Sequence, residues 1–314
     1  MTQPGMMELT DTSSSAIAAE FLRARRRAGS PAMGMVMTLV FVVDEEDAED
    51  AMDTARAASR EHPARVLGLI LGNPRGPAQV DAQVGIGSGW TGETALIRLS
   101  GEVTKHPESV VLPLLLPDSP VVVWWPTRAP ADPADDPLGK LAKRRITDAA
   151  AVPRSKSKAM FTQCRNYAPG NTDLAWTRIT GWRALLAAAL DQNPAKVLSA
   201  SVTAERISPS ADLLSAWLAD RLKIEVTRKS SDGPGITDVV METKEGRISL
   251  VRYDGKLATL SATGQPDRPV ALKRREMPEL LAEELRRLDP DDIYAATVKK
   301  MVRMHHANPT AEGS

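Results

Sequence analysis

Tryptophan and arginine side chains in two stretches of the sequence are the groups best suited to bind another molecule. The candidates are Trp124, Trp125, Arg144, Arg145, Arg178 and Trp182. Both residue types are enriched at protein interfaces, where tryptophan buries a large apolar area and arginine presents a fork of hydrogen-bond donors. Two interpretations follow: the side chains form a partner-binding surface, or the tryptophans pack in a shared core.

Arg144 and Arg145 belong to a segment, residues 137–149, whose apolar spacing predicts a helix. On that helix Arg145 shares the apolar face of Leu138, whereas Arg144 lies away from it. A buried guanidinium is costly unless it is paired, so Arg145 either meets a carboxylate such as Asp148 or binds an anionic ligand. Arg144 is also four residues from Asp148, which is the spacing of a helical ion pair.

The sequence holds no recognised arrangement of catalytic or metal-binding residues. It has no nucleophile elbow, Walker loop, H-E-x-x-H helix or cluster of cysteine and histidine. Gly85, Gly87 and Gly89 lie between two predicted strands and open no helix, so we predict a turn there and not a dinucleotide site. Cys164 is the single cysteine, which excludes an internal disulfide and gives little support to a redox role. We therefore expect no catalytic residue, no metal and no cofactor.

Composition and charge exclude further classes of protein. The chain has 314 residues, of which 42% are hydrophobic, and no apolar run approaches the roughly 20 residues of a membrane helix. Lysine and arginine total 40, as do aspartate and glutamate, so no net field attracts nucleic acid. The single cysteine and the lack of a basic-then-apolar leader predict a cytoplasmic protein.

The first half of the chain alternates strands and helices. A helix is predicted over residues 12–28. Strands over 35–43 and 65–71 flank a helix over 44–61, a β-α-β unit that implies parallel pairing. Further strands are predicted over 81–86, 94–99 and 121–125, with a short apolar element over 110–116. The strand at 121–125 is apolar at every position, which is typical of a strand covered on both faces.

The second half repeats this pattern and adds a meander. A long helix over 172–191, interrupted at Gly181, precedes a second β-α-β unit with strands over 196–202 and 223–228 and a helix over 208–222. Glycine turns separate strands over 236–243, 247–253 and 257–263, which predicts an antiparallel meander, and residues 270–274 add a strand. Helices follow over 278–288 and 290–305, the second capped by Asp289.

These elements predict an α/β protein of two domains, each a mixed sheet with flanking helices. The predicted boundaries are 1–150 for an N-terminal α/β domain and 151–171 for a linker or loosely held helix. Residues 172–306 form a C-terminal α/β domain with the meander and two terminal helices, and residues 307–314 form a disordered tail.

Four runs of sequence carry a resemblance to a known family. They are SREHPARV (59–66), DPLGKLAKRRITDAA (136–150), YAPGNTDLAWTRITGWRALLAAALD (167–191) and LLAEELRRLDPDDIYAATV (280–298). In this order they resemble OpcA, the glucose-6-phosphate dehydrogenase assembly protein family. The resemblance implies a non-catalytic protein that binds glucose-6-phosphate dehydrogenase and promotes its active oligomer at the entry to the pentose phosphate pathway. It also implies thiol redox control in cyanobacterial relatives, for which Cys164 offers no intramolecular thiol pair.

Three hypotheses for function follow. The first is an assembly and activating factor, with the six candidate residues as partner contacts. The alternative is an enzyme or sensor that binds a sugar phosphate or nucleotide at the carboxyl end of the N-terminal sheet, where Trp125, Arg128, Arg144 and Arg145 would meet. The third is a purely structural subunit without regulatory effect.

Overall fold

The computed structural model describes residues 6–28, 34–86 and 92–307. Its strands are β1 (Met7–Leu9), β2 (Met37–Val43), β3 (Ala64–Leu71), β4 (Gln79–Ile86), β5 (Glu93–Ser100), β6 (Val121–Trp125), β7 (Arg144–Thr147), β8 (Asn171–Asp173), β9 (Val197–Ala204), β10 (Val226–Ser230), β11 (Ile236–Thr243), β12 (Gly246–Val251), β13 (Leu257–Ala262) and β14 (Arg268–Ala271). Its α-helices are α1 (Ser14–Ala28), α2 (Ala48–Ala58), α3 (Pro107–Val111), α4 (Lys156–Arg165), α5 (Leu174–Thr177), α6 (Thr180–Gln192), α7 (Pro209–Leu222), α8 (Met277–Arg286) and α9 (Asp292–Ala307). Short 3-10 helices cover Glu45–Asp47, Gly101–Lys105, Leu112–Leu114 and Gly139–Leu141.

The chain divides into two compact units. The first unit comprises Met1–Thr147, Gly170–Thr172 and Met277–Pro290, and the second comprises Asp148–Pro169, Asp173–Glu276 and Asp291–Ser314. Two segments of the first unit, including the whole of α8, therefore come from parts of the chain beyond the predicted N-terminal domain.

The first unit is built on a mixed sheet, in the strand order β1-β4-β5-β3-β2-β6-β7-β8 among the described residues. Strands β5, β3, β2, β6 and β7 are parallel, whereas β4 is antiparallel to β5 and to β1. All seven residues of β2 are buried, as are all five of β6, because both faces of a central parallel strand are covered. The β-α-β unit formed by β2, α2 and β3 is confirmed.

The second unit is built on another mixed sheet, in the order β10-β9-β11-β12-β13-β14. Strands β9 and β10 are parallel and α7 lies between them in sequence, which confirms the second β-α-β unit. Strands β11, β12, β13 and β14 pair antiparallel in succession, which confirms the meander. The fold is thus α/β with two mixed sheets and flanking helices, as predicted.

The prediction of a helix over residues 137–149 is wrong. This segment contains a 3-10 helix, Gly139–Leu141, and then the strand β7, which pairs in parallel with β6 so that Val122 faces Arg144 and Trp125 faces Thr147. The backbone donors and acceptors of β7 find partners in the adjacent strand, and this tertiary pairing overrides the local helical spacing.

Two other helix predictions need correction. The helix expected over 172–191 is two helices, α5 and α6, and the break falls at Arg178 and Ile179, not at Gly181. The cap of α9 is Asp291, whose Oδ1 accepts hydrogen bonds from the backbone N–H of Ile293 and Tyr294, and not Asp289. The segment predicted as a linker or loosely held helix contains α4.

Two predicted features fall partly outside the described residues. They are the expected turn, of which Gly87 and Gly89 are not described, and the expected tail, of which residues 308–314 are not described. Residue 307 of that tail ends α9. Strands β1 and β8 were not predicted, because three residues are too few to show a period of two.

Candidate functional site

Trp124 and Trp125 occupy the carboxyl end of β6 in the first unit, and both are buried, with exposed fractions of 1% and 3%. Consecutive residues of a strand face opposite sides of a sheet. Accordingly, Trp125 packs in the core cluster that includes Val121 and Val123, whereas the ring of Trp124 meets that of Phe41 edge-on, with centroids 6.3 Å apart. Both indoles are buried, so each contributes to the packing around the sheet.

Arg144 is buried at the start of β7 and forms an ion pair with Glu284 of α8, with 2.5 Å between Nη2 and Oε2. Nη1 also donates to the backbone carbonyl of Asp289 at 3.0 Å. The expected pairing of Arg144 with Asp148 is wrong, because four residues span about 13 Å in a strand and only one turn in a helix. The arginine thus ties α8 to the sheet of the first unit.

Arg145 is half-buried and donates hydrogen bonds to several oxygens of the first unit. Nε donates to Oδ1 of Asn171 at 2.5 Å, and Nη1 donates to the carbonyl oxygens of Gly139 and Ala142 at 3.2 and 2.9 Å. Asp148, the carboxylate expected for it, pairs with Arg178. These bonds hold the 3-10 turn against the strand that follows it.

The ligand site expected at the carboxyl end of the first sheet is not formed by the four residues named for it. Arg128 forms an ion pair with Asp44, 3.1 Å between Nε and Oδ2, just beyond the carboxyl end of β2. Arg144 lies opposite Val122, three residues or about 10 Å along the strand from Trp125. A helix over residues 137–149 would have followed the loop at the carboxyl end of β6. In the structure Arg144 and Arg145 instead begin β7, which is parallel to β6, so they lie near the amino end of that strand pair.

Arg178 lies at the junction of α5 and α6 in the second unit and forms a two-pronged ion pair with Asp148. Nη1 and Nη2 donate to Oδ1 and Oδ2 at 2.6 and 2.7 Å. The side chain of Asp148 is fully buried, and that of Arg178 is 27% exposed. Burial acts to lower the pKa of Arg178, but the adjacent Asp148 carboxylate outweighs it and raises that pKa above its usual value.

Trp182 is 1% exposed and packs in the core of the second unit. The guanidinium carbon of Arg252 lies 5.0 Å from the centroid of its ring, within cation–π range. Trp176, which was not a candidate, is also buried, and its Nε1 donates to Asp291 Oδ2 at 2.9 Å. The structure therefore supports the core interpretation for the buried tryptophans.

A cavity of about 420 Å³ in the second unit brings Arg178 and Trp182 together. Further cationic side chains line it, including Arg252 and Arg274, which the sequence did not single out. Arg252 had a detectable signal, because it follows Ile248 and Leu250 at intervals of two and so shares their buried face. A charged residue at an inward position of a strand needs a compensating partner.

Neither a metal-binding cluster nor a membrane-spanning helix is found among the described residues. No group of three or more histidine, cysteine, aspartate or glutamate side chains in residues 6–28, 34–86 and 92–307 is arranged to hold a metal ion. No helix in the same ranges is long and apolar enough to cross a membrane.

Comparison with protein families matches most of the chain. The model of the N-terminal domain of the glucose-6-phosphate dehydrogenase subunit OpcA matches residues 55–165. The model of the C-terminal domain of the same subunit matches residues 169–298. The chain belongs to the OpcA family. All six candidate residues of this OpcA-family chain lie inside the two matched segments.

Comparison with individual proteins adds little to this assignment. No curated protein matches the OpcA-family chain. Solved structures that resemble it include a 3-ketoreductase mutant from Actinomadura kijaniata (TM-score 0.46, 11% identity, covering 88% of this chain and 98% of that one). Another is a dehydrogenase from Clostridium difficile (TM-score 0.44, 7% identity, covering 86% and 98%). Scores and identities this low carry no conclusion about activity or substrate.

Proposed function

We propose that this protein is a non-catalytic assembly and activating factor for glucose-6-phosphate dehydrogenase. It binds the dehydrogenase in the cytoplasm and promotes its active oligomer, and so regulates entry to the oxidative pentose phosphate pathway. The observation that supports the proposal is the match of two consecutive OpcA domain models, over residues 55–165 and 169–298.

The proposed action is a shift of population. A protein that binds the active assembly of an enzyme more tightly than the inactive form raises the fraction of active enzyme by its differential affinity. A preference of about 100-fold, equivalent to about 2.7 kcal/mol, converts a minor assembly into the dominant one when the two forms differ by less than that. No catalytic group on the activating protein is required.

The six candidate residues are proposed to act in two ways. Arg145 and Arg178 are partly exposed, so a partner can reach them directly. Trp124, Trp125, Arg144 and Trp182 are 1–4% exposed. We propose that these four act indirectly, by fixing the elements whose outer faces the partner contacts.

The test uses the cognate dehydrogenase, purified with and without this protein. Its turnover rate and its mass by light scattering are measured across a titration of the added chain. The expected result is a rise in both rate and mass that saturates at a fixed ratio of the two proteins. Unchanged rate and mass at saturating concentration would overturn the proposal.

Variants of the candidate residues then separate direct from indirect action. Arg145→Ala is compared with Arg75→Ala, an exposed arginine of the first unit, and the Arg145 variant is expected to weaken activation while the control does not. Trp124→Phe and Trp182→Phe keep an aromatic ring in the core. Because loss of a buried tryptophan can destabilise a domain by about 3–5 kcal/mol, each variant is accepted only if its unfolding midpoint is close to that of the parent.

A further inference from the structure

The cavity of the second unit carries an excess of positive charge. Its walls include six cationic side chains, Lys156, Arg178, Arg252, Lys273, Arg274 and Arg275, and one carboxylate, Glu205. Arg178 is neutralised by Asp148. The electrostatic character of the cavity therefore depends on which of the other cations have a carboxylate partner.

Arg252 is 7% exposed and has no ion pair within the described part of the chain. Its guanidinium donates to two backbone carbonyls, those of Leu272 at 3.0 Å and Ile236 at 3.1 Å. Burial and the neighbouring charge of Arg274 lower the pKa of Arg252 to about 10, against a smaller opposite effect of Asp254. A buried guanidinium whose contacts are two neutral carbonyl oxygens and the ring of Trp182 is destabilised by its environment, and a nearby anion would relieve that cost.

Arg274 and Lys156 add two more cations, neither of which has an ion pair among the residues the structure describes. The guanidinium of Arg274 lies across Gly235, so close that a Cβ at Gly235 would be 2.7 Å from Nη2. Glycine, here at φ +65°, is therefore the residue that lets the arginine occupy this place. Two like charges, Arg252 and Arg274, thus line one cavity, and neither forms an ion pair with a described residue.

The N-terminus of α7 meets the same cavity through Ser208, Pro209 and Ser210. The side chain of Ser208 makes no capping hydrogen bond, so it satisfies none of the free N–H groups of the first turn. The Oγ atom of Ser210 is buried and has no hydrogen-bond partner in the described structure. A helix N-terminus favours negative charge, and here it adds to the effect of the unpaired guanidiniums.

The remaining wall is apolar and includes Ile179, Trp182 and Leu272. The volume of about 420 Å³ falls within the range of small-molecule sites, roughly 300–1,000 Å³. Arg252, Arg274 and Lys156, which lack an ion pair among the described residues, carry more positive charge than one carboxylate neutralises. A phosphate monoester carries a charge of about −1.5 to −2 at neutral pH and so matches them better. We propose that this cavity binds a small phosphorylated molecule, with its phosphate at Arg252, Arg274 and Ser210 and its body against the apolar side of the cavity at Ile207, which is 47% exposed.

This site requires no bound dehydrogenase, so its test uses the full chain alone. Isothermal titration calorimetry is performed with inorganic phosphate, a hexose phosphate, a nucleoside monophosphate and the unphosphorylated hexose. Saturable binding of at least one phosphorylated compound is expected, with none of the unphosphorylated hexose. Affinity should fall with added salt because the attraction is electrostatic. A phosphate ester that binds more tightly than inorganic phosphate would show that the apolar wall contributes.

Two variants locate the binding. Arg274→Ala and Ser210→Ala are expected to weaken it, by about tenfold or more for the arginine. Arg274 is exposed, so its loss should leave folding intact, which circular dichroism checks. Arg221→Ala, at an exposed position of α7 away from the cavity, should bind as the parent does. Absence of saturable binding by any phosphorylated probe, or unchanged affinity in Arg274→Ala, would overturn the proposal without bearing on activation of the dehydrogenase.

Discussion

The fully buried carboxylate of Asp148 accepts two parallel hydrogen bonds from Arg178, at 2.6 and 2.7 Å. Oδ1 of Asp148 also accepts a hydrogen bond from the backbone N–H of Ala150 at 3.1 Å. The pair joins the segment after β7 to the junction of α5 and α6. Arg178 also lines the cavity, so its orientation there is set by Asp148.

Removing the arginine of this pair should strongly destabilise the protein. Arg178→Ala leaves the Asp148 carboxylate buried without its counter-charge, and we expect the free energy of unfolding to fall by about 3–5 kcal/mol. Arg178→Lys keeps the charge but loses the parallel geometry, so its loss should be smaller. Urea unfolding measures both, with Arg221→Ala as a surface control. A change below about 0.5 kcal/mol in Arg178→Ala, the usual scatter of surface substitutions, would contradict this account.

Periodicity predicted the elements whose neighbours in space are also neighbours in sequence. The two β-α-β units and the meander follow directly from apolar spacing and turn residues. The prediction for residues 137–149 failed because β7 has only four residues, too few to show a clear period of two, and its pairing with β6 leaves no mark on local spacing. Gly139 was the available signal, since a glycine inside a helical pattern lowers the helix propensity.

Gly139 packs too closely against Pro133 for any larger residue. A Cβ at this position would lie 1.7 Å from the carbonyl oxygen of Pro133 and 3.0 Å from its carbonyl carbon. Because both obstacles are backbone atoms, Gly139→Ala should lower the free energy of unfolding by about 3 kcal/mol or more. Gly34→Ala, where a Cβ meets nothing within 4 Å, is the matched control. Equal melting temperatures for the two variants would show that the turn can shift at little cost.

The candidate site was predicted less well than the fold, for a reason that Trp124 and Trp182 illustrate. Both side chains suit an interface and a core equally well, and the sequence alone does not distinguish the two. Their exposed fraction of 1% places them in cores. Arg252 directly follows β12 and Arg274 follows β14, so their meeting at one cavity depends on tertiary structure that spacing does not reveal.

The pH dependence of stability should report on Glu20 of α1. Its side chain is 2% exposed and pairs with Arg23 at 2.9 Å and with Arg27. Burial acts to raise the pKa of Glu20, but hydrogen bonds and charges from Arg27 and Arg23 outweigh it and lower that pKa below its usual value of 4.5. A lowered folded-state pKa gives stability that is present above the unfolded value and is lost as the pH falls through the folded value.

Glu20→Gln should therefore destabilise the protein at neutral pH and have little effect in acid. The expected loss at pH 7 is about 1 kcal/mol, because both arginines are more than half exposed and solvent screens the pairs. Urea titrations of parent and variant from pH 7 down to about pH 3 measure the difference, which should shrink once the pH is below the usual range of glutamate. A difference that stays constant over that range would mean that the carboxylate charge is not what stabilises α1.

Cys164 should be inert toward thiol reagents in the native protein. Its side chain is 4% exposed, and Sγ lies 3.6 Å from the sulfur of Met301. Burial, followed by the charges of Asp173 and Asp212, raises the pKa of the thiol well above its usual range. Since the thiolate is the reactive form, modification by an aromatic disulfide at pH 8 should be slower by roughly 100-fold or more than in the urea-unfolded chain.

The unfolded chain serves as the control and should release one equivalent of chromophore, from the single cysteine. Fast stoichiometric modification of the native protein would show that α4 opens readily and that Cys164 is accessible to redox partners. Cys164 would then be available for the kind of thiol control that the family resemblance implies for cyanobacterial relatives. Slow modification, in contrast, would mean that any redox control of the proposed complex with the dehydrogenase involves thiols outside this chain.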